Sequence, residues 1–178
     1  FNTLANLRSL VDDDPTQAKH MIDQLITYLR SALAGSRSDT TTLRAEFAQL
    51  AAYLEIMSLR LGRRLRYQLD LPEALQQATV PAMLLQPLVE NAIKHGIEPK
   101  IGGGAIAVTA RSTNGSLELE VADTGLGLPP DHDPDHSSDS YGLVHVRDRL
   151  RALYGSHASL RLQANKPQGT LATVRIPA

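Results

Sequence analysis

Leu84 to Gly96 reads LLQPLVENAIKHG, and Asp123 to Gly127 reads DTGLG. Wound as a helix, the first stretch puts Leu85, Leu88, Val89, Ala92 and Ile93 on one apolar face. Glu90, Asn91, Lys94 and His95 then form a continuous polar stripe on the other. An acid, an amide, an amine and an imidazole on one stripe can position water, offer a carbonyl oxygen to Mg²⁺ and neutralise phosphate charge. A solvated helix face has the same pattern, so the reading depends on the segments that follow. Pro87 removes one backbone donor, which predicts either a kink or a helix that begins there.

Downstream, Leu117, Leu119 and Val121 alternate with Glu118 and Glu120, the period of a half-buried strand that delivers Asp123 to its end. Gly125 and Gly127 permit positive φ and close approach of backbone to a ligand, and a carboxylate held beside them can accept a hydrogen bond from an exocyclic amine such as that of adenine. D-x-G-x-G by itself is more often a plain turn. A third segment, Tyr141-Gly142-Leu143-Val144-His145-Val146-Arg147-Asp148-Arg149-Leu150, opens a helix with Leu143, Val146, Leu150 and Leu153 on one side. Helix N-termini attract phosphate. Arg147, Arg149 and Arg151 add positive charge, although an exposed basic face would look alike.

In this order the three segments resemble the N, G1 and G2 boxes of the Bergerat-type ATPase fold shared by histidine kinases, gyrase, Hsp90 and MutL. The N-terminal part resembles the LytS-like sensor histidine kinases through Phe1-Asn2-Thr3-Leu4, Leu43-Arg44-x-Glu46, Tyr53-Leu54-Glu55-Ile56 followed by Arg60, and Gln86-Pro87-Leu88-Val89-Glu90-Asn91-Ala92. The resemblance spans essentially the whole chain and ends in Gly169-Thr170 before a last strand.

It implies ATP and Mg²⁺ as ligands, with Asn91 on the metal, Glu90 as the acid that assists phosphoryl transfer, and Lys94 and His95 on the phosphate side. Asp123 would hold the adenine amino group, and Gly125 and Gly127 would shape the pocket. Gly142 and Leu143 would close over the phosphates, with Thr170 near the base. Two positions depart from the family pattern: Ser140 stands where a glycine is usual, and His145 where an asparagine is common. A stiffer lid and altered phosphate contacts are the expected consequences. The family's phosphorylated histidine lies in an H-F-L-F-N motif, whose last two letters are Phe1 and Asn2 here. The resemblance therefore places the acceptor three residues upstream of Phe1, and without it this chain is expected to bind ATP but not to autophosphorylate at the family position.

Of the six histidines present, His20 is the candidate substitute. Ala18, Ile22, Leu25, Leu29 and Ala32 mark an inward seam at spacings of four and three, which turns His20 outward. Met21 follows it where other kinase families place an acid, and a surface histidine beside Lys19 is ordinarily just solvated.

The 178 residues, 42% of them hydrophobic, suffice for one solid core plus a smaller helical element, or for two small domains. A net charge of −1 gives no electrostatic reason to expect a nucleic-acid partner. The absence of cysteine removes disulfides and thiolate metal sites and suits a reducing cytoplasm. No apolar run approaches the roughly 20 residues that span a bilayer. Because the family usually carries a membrane sensor upstream, the chain is expected to be the cytoplasmic portion of a longer membrane protein.

Asp14 suits the N-cap and Pro15 the first position of a helix running to about Ala34. Gly35 to Thr42 reads as a polar linker, and Thr42 caps a third helix whose Leu43, Phe47, Leu50, Leu54, Met57 and Leu61 repeat without a break. Such a hairpin leaves an apolar seam, satisfied by a homodimeric four-helix bundle or by packing on the chain's own C-terminal part. From about Gly62 the period changes. Leu65, Tyr67, Leu69 and Leu71 alternate as a strand. Residues 105–111 and 117–123 form a hairpin about Asn114-Gly115. A helix over 142–154 and strands near 159–164 and 170–176 complete the fold. The expected class is α+β: a helical dimerisation and phosphotransfer region at 1–62, then an ATP-binding α/β sandwich at 63–178. Gly102-Gly103-Gly104 lacks a following Gly-Lys-Ser/Thr and reads as a flexible turn. Residues 128–141 read as a mobile lid, in which Asp131, His132, Asp133, Asp135 and His136 are metal-ligand types without an ordered scaffold.

The function implied is phosphoryl transfer from Mg²⁺-ATP to an imidazole on the bundle and then to an aspartate of a response regulator, with relative motion of hairpin and pocket as the means of control. The alternative is a catalytically silent ATP-binding module that changes dimer shape or partner affinity. An ATP hydrolase of the gyrase or Hsp90 type is disfavoured, since no long lid or transducer domain is evident.

Overall fold

The computed structural model describes residues 2–35, 39–128 and 141–177. Phe1, Ser140 and nearly all of the 128–141 segment, with its aspartates and histidines, lie outside the described residues.

Helix α1 (Asn2–Asp13) passes into α2 (Pro15–Gly35) across a single residue. Asp14 accepts the amide of Gln17 at 3.0 Å, and Pro15 occupies the first helical position, where a missing N–H breaks no bond. Thr42 caps α3 (Leu43–Leu61) by accepting from the amide of Ala45, and Gly62, at φ 58°, ends it. A short strand β2 (Leu65–Asp70) follows.

The crossover from β2 to its parallel neighbour β4 (Gly104–Thr113) carries α4 (Gln86–Asn91). Its apolar face is buried as the sequence predicts, with Leu85, Leu88, Val89, Ala92 and Ile93 all in the interior. Pro87 lies in the first turn of α4, which starts at Gln86, so its missing N–H costs no helical bond. Beyond Asn91 the winding loosens into a π-helical turn, Ala92–Ile97, closed by Glu98 N–H to Ile93 O at 2.9 Å.

Strand β4 turns at Asn114 (φ 51°) and Gly115 (φ 76°) into β5 (Ser116–Asp123), the left-handed pair that a two-residue hairpin requires. Helix α5 (Tyr141–Tyr154) leads to β6 (Ser159–Ala164) and β7 (Thr170–Pro177). The five-stranded sheet has the order β2-β4-β5-β7-β6 and is antiparallel except at β2–β4. Alternate residues of β5, from Leu117 to Asp123, are buried; the π turn packs against β4 and β5, and α5 against β6 and β7. The result is the α+β architecture expected.

One feature departs from the sequence reading. Thr40–Thr42, taken as linker, forms strand β1 paired antiparallel with β3 (Thr79–Pro81). Three threonines carry no alternation, so no period marks them, although β-branching suits them to a strand. Of the two coverings open to the α3 seam, the chain supplies its own: Leu43, Phe47, Leu50, Leu54 and Met57 join the same core as Leu85 and Ile93. Among the described residues, Val11 of α1 and Ile22, Ile26 and Leu29 of α2 are large apolar side chains left open, at 39–52% exposure.

Candidate functional site

Asp123 is the last residue of β5 and is 3% exposed. Its Oδ1 accepts the amide of Gly125 at 2.8 Å. Burial pushes the carboxyl up from the ordinary aspartate range; hydrogen bonds from the Gly125 amide and from the Thr170 amide and hydroxyl, with the Lys100 charge, oppose the rise. Thr170 opens β7 at the same end of the sheet, within hydrogen-bond reach of Asp123.

Three glycines make this corner possible. A Cβ on Gly96 would lie 2.9 Å from Asp123 Oδ1, one on Gly125 would lie 2.3 Å from the Gly96 backbone, and one on Gly169 (φ 123°) would lie 1.9 Å from Asp123 O. Backbone therefore packs directly on backbone around the carboxylate. Leu126 N–H bonds Gly96 O at 3.1 Å and ties the loop to the π turn. Gly127, at φ 87°, continues the same loop. Alanine at Gly125 has to separate that loop from the π turn, breaking the Leu126–Gly96 bond. We expect an ATP affinity loss of about thirtyfold by calorimetry, the equivalent of about 2 kcal/mol.

Asn91, half-buried at the end of α4, lines the same small cleft as Asp123 and Thr170. Leu88, Val121, Leu143 and Leu162 form its apolar wall. Leu143, expected over the phosphates, is 1% exposed and belongs to this wall. Gly142 sits above Pro87, where a Cβ would come within 3.4 Å of the proline ring. Glu90, Lys94 and His95 are exposed along one edge of the crossover helix, as the stripe predicts. Glu90 Oε1 accepts from Gln86 Nε2 at 2.7 Å.

Two of the basic residues on α5 hold backbone. Arg147 donates to Leu160 O at 3.0 Å, and Arg149 donates to Ala82 O and, at 2.7 Å, to Asp39 O. Arg151 and His145 are exposed. On α2, His20 faces outward, with Nε2 3.5 Å from Glu55 Oε1 on α3. Glu55 also accepts from the Tyr67 hydroxyl at 2.9 Å; that hydroxyl is pushed up to about 12 by burial and by the carboxylate.

Other residues at the site carried no signal of role in the sequence. Lys100 reaches Thr124 O at 2.5 Å and Gln168 Oε1 at 3.2 Å, fastening the D-x-G-x-G loop from behind. Arg60 pairs with Glu98 just past the π turn. Glu46 of α3 accepts the amides of Met83 and Leu85 at 3.0 and 2.9 Å and so caps the start of the site helix from another element. Among the described residues no acidic or histidine cluster forms a self-contained metal cage. A Mg²⁺ ion held by one amide oxygen, phosphates and water fits that donor set.

The site thus stands on a mixed sheet packed on one face by helices, with a buried aspartate at the end of a central strand and a half-buried asparagine at the end of the crossover helix. The chain belongs to the histidine kinase-, DNA gyrase B- and HSP90-like ATPase family, whose model matches residues 77–178; the histidine kinase model matches residues 1–65. It is 33% identical to the sensor histidine kinase BtsS of Escherichia coli over 99% of its own length and 31% of that protein. It is 31% identical to the sensor protein LytS of Staphylococcus epidermidis, with the same coverage of each. The chain thus spans about a third of the length of these curated relatives. In fold it is similar to the histidine kinase domain of the Erythrobacter litoralis EL346 blue-light activated kinase, with a TM-score of 0.60, 20% identity, and 96% and 83% of the two chains covered. It also resembles histidine kinase ThkA in its complex with the response regulator TrrA, with a TM-score of 0.54, 17% identity, and 90% and 49% coverage.

Proposed function

We propose that the chain is the ATP-binding and helical part of a two-component sensor histidine kinase, which transfers the γ-phosphoryl group of Mg²⁺-ATP to a histidine and from there to a response-regulator aspartate. The observation that carries this reading is the pairing of a buried Asp123 with Asn91 on one cleft, beside an exposed edge bearing Glu90, Lys94 and His95.

Asp123, backed by Thr170, reads the adenine amino group. Gly125 and Gly127 let the loop approach the base, and Leu143 gives an apolar surface beside it. Gly142 leaves room at the start of α5, and Lys94 and His95 offset phosphate charge. Asn91 Oδ1 would hold Mg²⁺, which neutralises charge on the phosphates. Glu90 faces the solvent edge, where an incoming imidazole could present its proton. Rate enhancement then comes mainly from positioning and charge stabilisation.

The acceptor is the histidine that the family motif places upstream of Phe1. Residues 1–62 would supply dimerisation and phosphotransfer, and residues 63–178 the ATP-binding unit. The open row Ile22, Ile26 and Leu29 on α2 supports a homodimer, since a second copy of that row would cover it. The regulator partner is supported by the fold likeness to ThkA in its regulator complex. A sensor region in the membrane, with this chain on its cytoplasmic side, accords with the sensor names of the relatives. No described helix of the chain itself is long and apolar enough to cross a bilayer.

Calorimetry with and without Mg²⁺ tests the site. Asn91→Ala is expected to bind ATP with little Mg²⁺ dependence, and a variant retaining the wild-type dependence would remove Asn91 as the metal ligand.

A further inference from the structure

Glu90 projects from α4 one turn after Gln86, and a carboxylate that serves a reacting group needs a fixed direction. Gln86 Nε2 donates to Glu90 Oε1 at 2.7 Å, while Gln86 Oε1 accepts from Gln49 Nε2 at 2.7 Å. Gln86 and Gln49 are 4% and 7% exposed, so the link between α3 and α4 runs through the interior.

Polarity makes this a directed relay. An ionised carboxylate only accepts, whereas a primary amide has one donating and one accepting end. Glu90 therefore selects the NH₂ end of Gln86, which leaves the Gln86 oxygen facing α3. Gln49 must then present its own NH₂. Turning either amide over would set oxygen against oxygen or NH₂ against NH₂. One turn earlier on α3, Glu46 grips the amides of Met83 and Leu85. The same face of α3 thus fixes both the backbone at the start of α4 and the side chain that α4 presents.

We propose that Gln49 and Gln86 are positioning residues for phosphoryl transfer: Gln49 of the hairpin orients Gln86, which holds the Glu90 carboxylate in its working direction. The proposal rests on the kinase reading above. It makes α3 part of the catalytic apparatus, and it locates any signal-driven motion of the hairpin between α2 and α3, not between α3 and the pocket.

The test uses the full-length protein and measures the rate of phosphoprotein formation against ATP concentration. Gln49→Leu and Gln86→Leu are each expected to lower kcat about tenfold while KM for ATP stays within about twofold, because the relay touches the acid and not the nucleotide. Gln49→Asn keeps the amide but is too short to reach, and is expected to match Gln49→Leu, which separates loss of the hydrogen bond from loss of polarity. In a Glu90→Gln background, adding Gln49→Leu is expected to change the rate no further. An equal fold-loss in both backgrounds, or unchanged kcat in both Gln49 variants, overturns the relay. A wild-type protein that binds ATP yet forms no phosphoprotein overturns the kinase reading itself, and the relay as a catalytic device with it.

Discussion

Glu46→Ala is expected to lower the unfolding free energy by about 3–5 kcal/mol, measured by urea denaturation at neutral pH. Glu46 is 2% exposed and accepts the amides of Met83 and Leu85. Removing it strands the Leu85 amide in the interior at about 1–3 kcal/mol, takes the partner from the part-buried Met83 amide, and leaves a void besides. Met83, at φ 56°, sits in a left-handed conformation that this contact helps to hold. Glu46→Gln is expected to lose less, because its oxygen can still serve one amide while its NH₂ opposes the other. Burial raises this carboxyl above its ordinary value, against the pull of backbone hydrogen bonds from Leu85, Met83, Leu84 and Gln86. The folded protein then binds the proton more tightly than the unfolded chain. The stability contributed by that proton is fully present below the ordinary carboxylate range and falls as pH rises through the raised value. Denaturation of wild type and Glu46→Gln across that range should show a steeper slope in the former, since the raised Asp123 carboxyl contributes to both; equal slopes would contradict it.

Asp123→Asn is expected to weaken ATP binding by about a hundredfold, with the fold retained. Its oxygen can still accept from Gly125, but its NH₂ meets the Thr170 amide and would oppose the adenine amino group. A buried site built to accept hydrogen bonds penalises such a mismatch by about 1.5–3 kcal/mol. The same burial that raises the Asp123 carboxyl makes wild-type affinity decline, as pH falls, sooner than an ordinary aspartate would dictate. The asparagine variant should lack that decline, and calorimetric titration at several pH values measures both effects.

Local rules made the framework of the site legible. The Asn114-Gly115 hairpin, the caps at Asp14 and Thr42, and the alternation that carries Asp123 to a strand end all follow from neighbours in sequence. The amphipathic stripe of residues 85–95 separated buried from exposed side chains correctly, and Pro87 marked a helix start. Contacts between distant segments were not legible. Glu46 and Gln49 act on residues nearly 40 positions later, and no periodicity announces that a polar residue on an amphipathic helix will be buried to hold another helix. The packing of Gly169 against Asp123 likewise needs β7 laid beside β5 before the lack of a side chain acquires meaning. The α3 seam was read correctly as apolar, but a heptad-like spacing does not say which surface covers it; here the chain's own core does. The arginines of α5 had the composition of a phosphate face, yet Arg147 and Arg149 reach neighbouring carbonyls, which only the tertiary fold brings near.

The central claim is that ATP bound at Asp123 and Asn91 phosphorylates a histidine. Its most direct test is incorporation of γ-labelled phosphate from Mg²⁺-ATP, comparing residues 1–178 with a chain extended upstream through the expected histidine. The account predicts acid-labile label in the longer chain, lost in its Asn91→Ala variant, and none in the shorter one. No label in either chain while ATP still binds would contradict it in favour of a silent binding module, and sustained hydrolysis without phosphoprotein would contradict it in favour of an ATPase.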